Sequence, residues 1–260
     1  MGGREAPIVE IRLLGNAELH EVTGAGRKPV SVPAKLMALL AYLAVEPTTG
    51  THRRESLLGV FWPDSDPDRA RASLRTSLSR LRETLGPGVL RTRGNDEVEL
   101  DRGRVWCDVR GFTAACARAD HAEGLALYRG PFLQDFTLSG VPTVAWWIES
   151  QRTRLQAAAC EAAWRLAVAA REAGDPREAA RRARQSIHLA PLHEPCARRA
   201  IELLRELGDW AGALRAHQRF ERRLRTELGT GASPATRRLA ESLRRPPARR
   251  DSRTDPGASA

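Results

Sequence analysis

Between Asp66 and Leu85 the apolar positions recur with the period of a helix. Leu74, Leu78, Leu81 and Leu85 follow at steps of four, three and four and share one narrow stripe. Asp66 suits the N-cap, Pro67 the first helical position, and Gly86-Pro87 the stop. Upstream, Ile8–Leu14 reads as a strand ended by Gly15-Asn16, and Ala17–Val22 as a second. A turn follows at Gly24-Ala25-Gly26, and Val30 and Val32 suggest a third strand. Pro33–Val45 is apolar on most sides and predicts a buried helix ended by Pro47. Thr51 then caps a short helix through Leu58, and Val60, Phe61 and Trp62 lead into Pro63. Downstream, Val89-Leu90 and Val98-Glu99-Leu100 flank Arg93-Gly94-Asn95-Asp96, the pattern of a hairpin with turn residues at its tip.

After Val105 helical patterns dominate. They predict helices over Ala114–Tyr128 and Trp146–Ala173, and from Asp175-Pro176 to before Pro191. Three more cover Pro195–Leu207, Asp209–Leu228, and Ser233-Pro234 to about Arg245. Trp146-Trp147 reads as core rather than as the wall of a ligand pocket. Gly174-Asp175 and Gly208-Asp209 stand 34 residues apart, with Glu172 and Glu206, and Ala179 and Ala213, in the same register. Paired helices at that period are the signature of tetratricopeptide repeats, which stack and offer a face to partners. The fold class expected is therefore mainly α with a small β component. A lead at 1–7 precedes a unit at 8–104; an all-α, tetratricopeptide-like unit occupies 105–245, and a disordered tail 246–260.

Charge sharpens the reading of the Asp66–Leu85 helix. Opposite its leucine stripe lie Arg69, Ala72, Thr76, Ser79 and Arg80; Arg71, Arg75 and Arg82 line a flank, with no acid between positions 69 and 82. Such a face has two readings, a solvated Arg-rich surface or a surface for DNA. Guanidinium groups suit phosphates and guanine edges, and short side chains admit the major groove. The surroundings favour DNA. Strands, two helices, an arginine-bearing helix and a hairpin make the order of a winged helix-turn-helix, whose last helix enters the groove while the hairpin lies along the backbone. Arg69, Arg71, Arg75, Thr76, Ser79 and Arg80 are then the candidates for groove contact. Arg53, Arg54, Arg82, Arg91 and Arg93 are the candidates for the DNA backbone.

The chain of 260 residues carries a net charge of +10, little of it before residue 110, so the local arginine run and not the total carries the argument. Only Lys28 and Lys35 are lysines, an arginine bias that a GC-rich genome also produces. No apolar run is long enough for a membrane helix, and the start lacks a signal-peptide pattern. Cys107, Cys116, Cys160 and Cys196 are widely spaced, and the reading is free buried thiols in a reducing cytoplasm. Asp64, Asp66 and Asp68 alternate as a calcium loop begins, but Arg69 and Arg75 occupy the positions such a loop gives to glycine and glutamate. His188 and His193 lack the spacing and the cysteines of a zinc site. Neither phosphate-binding glycine motif nor nucleophile elbow occurs. No catalytic residue, metal or cofactor is expected, and the chain does not read as an enzyme. A helical-repeat adaptor whose winged helix binds protein is the reading of another class.

The residues also resemble a family. IRLLG, PAKLMALLAYLA, RRESLLGVFWPD, RARASLRTSLSRLRETLG and the VEL closing the hairpin look like an OmpR/PhoB-type winged helix. WCDVRGF, ALYRGPFL, the helix with Trp147, Arg152 and Leu155, APLHEP, LRELGDWAGALRAHQRF and ELGTGASPAT resemble the bacterial transcriptional activator domain. The ordered set, over about residues 8–245, is similar to the Streptomyces antibiotic regulatory protein (SARP) family. The resemblance implies an activator that binds direct repeats in double-stranded promoter DNA and recruits RNA polymerase holoenzyme. It makes Arg69–Arg82 the recognition helix, Arg91–Glu99 the wing and Gly59–Asp68 a segment that can face polymerase. The helical unit would serve self-association into a homodimer, or bind polymerase or an effector. His217 departs from the family's usual tyrosine, and Gly94-Asn95-Asp96 from its usual Gly-Tyr wing tip.

Overall fold

The computed structural model describes residues 8–46, 51–94 and 96–243. The expected lead at 1–7, the tail at 246–260, Pro47 and Asn95 lie outside them. Strands β1 (Val9–Arg12), β2 (Glu18–Thr23) and β3 (Gly26–Pro29) come first, then helix α1 (Ala34–Val45), β4 (Thr51–Arg53), α2 (Arg54–Phe61) and α3 (Pro67–Leu85). The hairpin is β5 (Leu90–Arg93) with β6 (Glu97–Leu100), followed by β7 (Val105–Cys107). Seven helices complete the described residues: α4 (Asp108–Ala117), α5 (His121–Leu127), α6 (Pro142–Glu172), α7 (Pro176–Leu189), α8 (Glu194–Glu206), α9 (Trp210–Leu228) and α10 (Pro234–Leu243). The mainly α class with a small β part holds.

The described residues form two compact units, divided between Ala162 and Ala163. In the first, a four-stranded sheet has the order β3-β2-β1-β7, and a three-stranded sheet the order β4-β6-β5. β1 runs antiparallel to β2 and parallel to β7, with Ile11 opposite Cys107. The parallel strand β7 departs from the helical pattern expected from Val105 onward. Its three residues are too short for alternation to show. Asp108, directly after it, fastens the joint. Its buried carboxylate accepts the N–H groups of Leu13 and Leu14 at 2.9–3.0 Å. Burial pushes that carboxyl up, while the N–H groups of Leu14, Leu13 and Val109 hold it down. On the inner strand β1, Glu10 is buried beside the guanidinium groups of Arg12 and Arg27.

Three local expectations are corrected. Thr51 does not cap a helix; it opens β4 opposite Glu99, and α2 starts at Arg54 without a side-chain cap. The third strand precedes Val30, at Gly26–Pro29. The helical stretch Ala114–Tyr128 is two helices, starting at Asp108 and broken where Ala119 adopts φ 60. Asp120 then caps α5 by accepting the Glu123 N–H at 3.1 Å. Among the cysteines, Cys107 and Cys116 are free, as expected. Burial pushes the Cys107 thiol up to about 11. Cys160 and Cys196 are in disulfide form, against the expectation of free thiols.

The core of the first unit follows from the apolar runs. Leu36, Leu39, Leu40 and Leu43 of α1 are buried. Trp147 lies 5.0 Å from Tyr42 and edge-on to Phe132 at 5.5 Å, and its indole N–H donates to Glu46 at 2.5 Å. Of the tryptophan pair Trp147 is half-buried against these aromatic rings, whereas Trp146 is 81% exposed. In the second unit the 34-residue register is visible in atoms. Gly174 and Gly208 both take positive φ, 74 and 78, where a side chain would be strained. Asp175 and Asp209 then cap α7 and α9, accepting from the Glu178 and Gly212 N–H groups at 2.9 and 2.8 Å. Ala179 and Ala213 are both fully buried, so neighbouring helices approach over small residues.

Candidate nucleic-acid interface

The arginine helix is set by its ends and its leucines. The Asp66 carboxylate accepts from the Asp68 and Arg69 N–H groups at 3.0 and 3.1 Å, with Pro67 behind it. Leu74, Leu78, Leu81 and Leu85 are buried as the stripe predicts, joined by Ala70. Each fully buried leucine contributes about 1.5–3 kcal/mol relative to exposure. That anchoring leaves the other face of α3 to solvent. Arg69, Arg71, Arg75, Thr76, Ser79 and Arg80 are all exposed.

Their polar commitments differ. Arg71 donates to Asp68 at 2.9 Å in an exposed pair, worth about 0–1 kcal/mol and readily exchanged. Arg69, Arg75 and Arg80 have no acidic partner among the described residues. The Thr76 hydroxyl donates to the Ala72 carbonyl at 3.0 Å, which leaves its oxygen to accept and its methyl to make apolar contact. Ser79 donates to Glu83 at 3.2 Å. Glu83 therefore belongs to this face, one residue beyond the acid-free run 69–82. Its spacing of four from Ser79 was the signal available.

The five backbone candidates separate. Arg53, Arg54 and Arg93 come together in an open cleft beside the hairpin, where Glu55, Asp96 and Glu97 also lie. Arg91 pairs with Asp101 at 2.8 Å and Arg93 with Glu99 at 3.2 Å, so a phosphate would have to take these guanidiniums from carboxylates. Arg82 is half-buried and donates through Nε to the Leu90 carbonyl at 3.3 Å, holding α3 against β5. The hairpin thus sits where the sequence placed it, directly behind the arginine helix, with Arg91, Thr92 and Arg93 exposed.

The segment between α2 and α3 leads directly into the arginine helix. From Pro63 to Asp68 it is exposed, and the Trp62 ring carries the Lys35 ammonium 4.3 Å from its centroid. Thr143, in the first turn of α6, donates to the Val60 carbonyl at 2.5 Å. No group of three or more His, Cys, Asp or Glu among the described residues is placed to hold a metal ion. No described helix is long and apolar enough to cross a membrane.

The comparisons with known proteins agree with this architecture. No curated protein matches the sequence. Among solved structures, Mycobacterium tuberculosis EmbR in complex with a low-affinity phosphopeptide matches with a TM-score of 0.58 and 23% identity. The match covers 91% of this chain and 65% of that one, so this chain spans just under two thirds of its length and shares its fold. The model of the bacterial transcriptional activator domain matches residues 102–244, the half in which the SARP resemblance rested on WCDVRGF, ALYRGPFL and APLHEP. That match spans more than half of the sequence, and the chain belongs to the bacterial transcriptional activator domain family.

Proposed function

We propose that this protein is a sequence-specific, DNA-binding transcriptional activator, with α3 as the recognition helix and the β5–β6 hairpin as the wing. The carrying observation is that Arg69, Arg75 and Arg80 stand exposed and without acidic partners on a helix whose opposite face is fixed by buried leucines. Arginine forks held on a rigid helix are suited to guanine edges and phosphates. Arg71, Thr76 and Ser79 complete the groove face, and Arg53, Arg54, Arg82, Arg91 and Arg93 supply the backbone side. The segment Gly59–Asp68, exposed from Pro63 onward, is the surface offered to RNA polymerase holoenzyme. Residues 8–104 form the DNA-binding domain and 105–245 the activator domain, which also carries self-association. The setting is the cytoplasm, at the nucleoid.

The test is a titration of labelled promoter DNA from the protein's own gene neighbourhood, against scrambled DNA, at several salt concentrations. The expected result is a preference of ~10³ or more for the promoter, with log K falling linearly in log[salt]. Absence of binding even at low salt contradicts the reading and favours an adaptor role for the winged helix.

A further inference from the structure

The second unit holds an open groove between α7 and α9, the first helices of the two repeats, with a volume of about 500 Å³. Half-buried Ile187, with the buried Ala216 and Phe220 behind it, gives it an apolar floor, and Arg184, Arg219, Arg222 and Arg223 line it with charge. No acid is among its lining residues. Arg184 is paired with Asp209, but Arg219, Arg222 and Arg223 have no acidic partner among the described residues. They stand three and four positions apart on α9, close enough to act together on one ligand. Unpaired guanidiniums gathered at a cleft raise the local positive potential and concentrate anions there.

We propose that this groove binds an acidic peptide segment of a partner protein, with Asp or Glu side chains on the guanidiniums and one apolar side chain on the Ile187–Phe220 lining. Arginine forks match carboxylates in paired hydrogen bonds, and the apolar lining rewards a side chain that inorganic anions lack. Stacked helical repeats present such grooves to extended segments. A DNA duplex offers phosphates but no apolar group on its outer surface to meet the lining. Residues 244–255 do not suit the groove either, because Arg244, Arg245, Arg249, Arg250 and Arg253 outnumber Asp251 and Asp255 there. The site is separate from α3 and does not depend on the DNA reading.

The experiment titrates the full chain into a fluorescein-labelled peptide of Asp and Glu residues around one leucine. A peptide with serine in place of the leucine, and one with lysines in place of the acids, run alongside. The acidic leucine peptide is expected to saturate, the serine peptide to bind several-fold more weakly, and the lysine peptide not at all. The double variant Arg219→Glu/Arg223→Glu is expected to weaken the acidic peptide by about tenfold or more, since reversal removes attraction and adds repulsion. Arg219→Lys/Arg223→Lys keeps the charge but loses the fork, and is expected to weaken the acidic peptide several-fold, less than charge reversal does. Arg219 is exposed and Arg223 half-buried, and an unaltered melting temperature and promoter affinity confirm that the variants fold. Failure of the wild-type chain to bind the acidic peptide overturns the proposal, as does equal binding by the charge-reversed variant. Loss of promoter affinity in place of peptide affinity overturns it in favour of nucleic acid. Self-association that needs Arg219 and Arg223 and that the peptide does not compete overturns it in favour of a second copy.

Discussion

α3 and α7 begin alike and end up chemically opposite. Both open with Asp-Pro, both are amphipathic, and both are rich in arginine. In α7, Arg181 and Arg182 meet Glu178 at 2.6 and 2.7 Å, and Arg184 meets Asp209. In α3, Arg69, Arg75 and Arg80 keep no such partner. The buried faces differ as well: leucines in α3, and Ala179, Ala180 and Ala183 in α7. Alanines let a helix nest closely among its neighbours, and internal ion pairs quiet its outer charge. Leucines hold a helix firmly while its far side stays open, and unpaired arginines there keep their capacity to bind. Arginine content alone does not separate the two helices; the placement of acids does.

The largest test of that contrast removes an anchor. Leu74→Ala or Leu78→Ala is expected to cost about 2–5 kcal/mol, read as a lowered denaturation midpoint, with DNA binding lost alongside stability. The reverse error in α7, Ala183→Leu, forces bulk into a close approach and is expected to cost about 1–3 kcal/mol without touching DNA affinity. A smaller effect is common to both helices. Asp66→Ala and Asp175→Ala each remove a side-chain cap and are expected to destabilise by about 1 kcal/mol, but only the first should weaken promoter binding. The smallest effect concerns charge. The hydrogen bonds and charges of Arg181 and Arg182 hold the Glu178 carboxyl down to about 2. Its contribution to folding is therefore complete above the ordinary carboxyl value of 4.5 and lost as pH falls through about 2. NMR titration of the Glu178 side chain should show that depressed midpoint, and Glu178→Gln should flatten this part of the acid dependence.

Strong periodicity and strong end signals made most of the architecture readable from sequence. The leucines of α3, the Asp66 cap, the hairpin and the Gly-Asp register of the repeats all stand where the residues put them. What was missed depends on partners distant in sequence. β7 is a strand because Val9 and Ile11 lie beside it, and nothing in Val105–Cys107 announces that pairing. Thr51 looks like a cap, yet the hairpin strand β6 draws it into a sheet. The break between α4 and α5 falls at Ala119, a residue type that carries no turn signal. The interface was legible in its types and less so in its pairings. Arg82, Arg91 and Arg93 read as free cations, whereas Leu90, Asp101 and Glu99 engage them. Those contacts cross between elements, beyond the reach of local spacing.

The central claim is that α3 reads sequence through its unpaired arginines. Its most direct test is the ratio of promoter to scrambled-DNA affinity for the wild-type chain and for Arg75→Ala/Arg80→Ala, at one fixed salt concentration. The account predicts a loss of about 1–3 kcal/mol for each arginine at the specific site, a much smaller loss on scrambled DNA, and an unchanged melting temperature. A double variant that keeps the wild-type affinity ratio would contradict it.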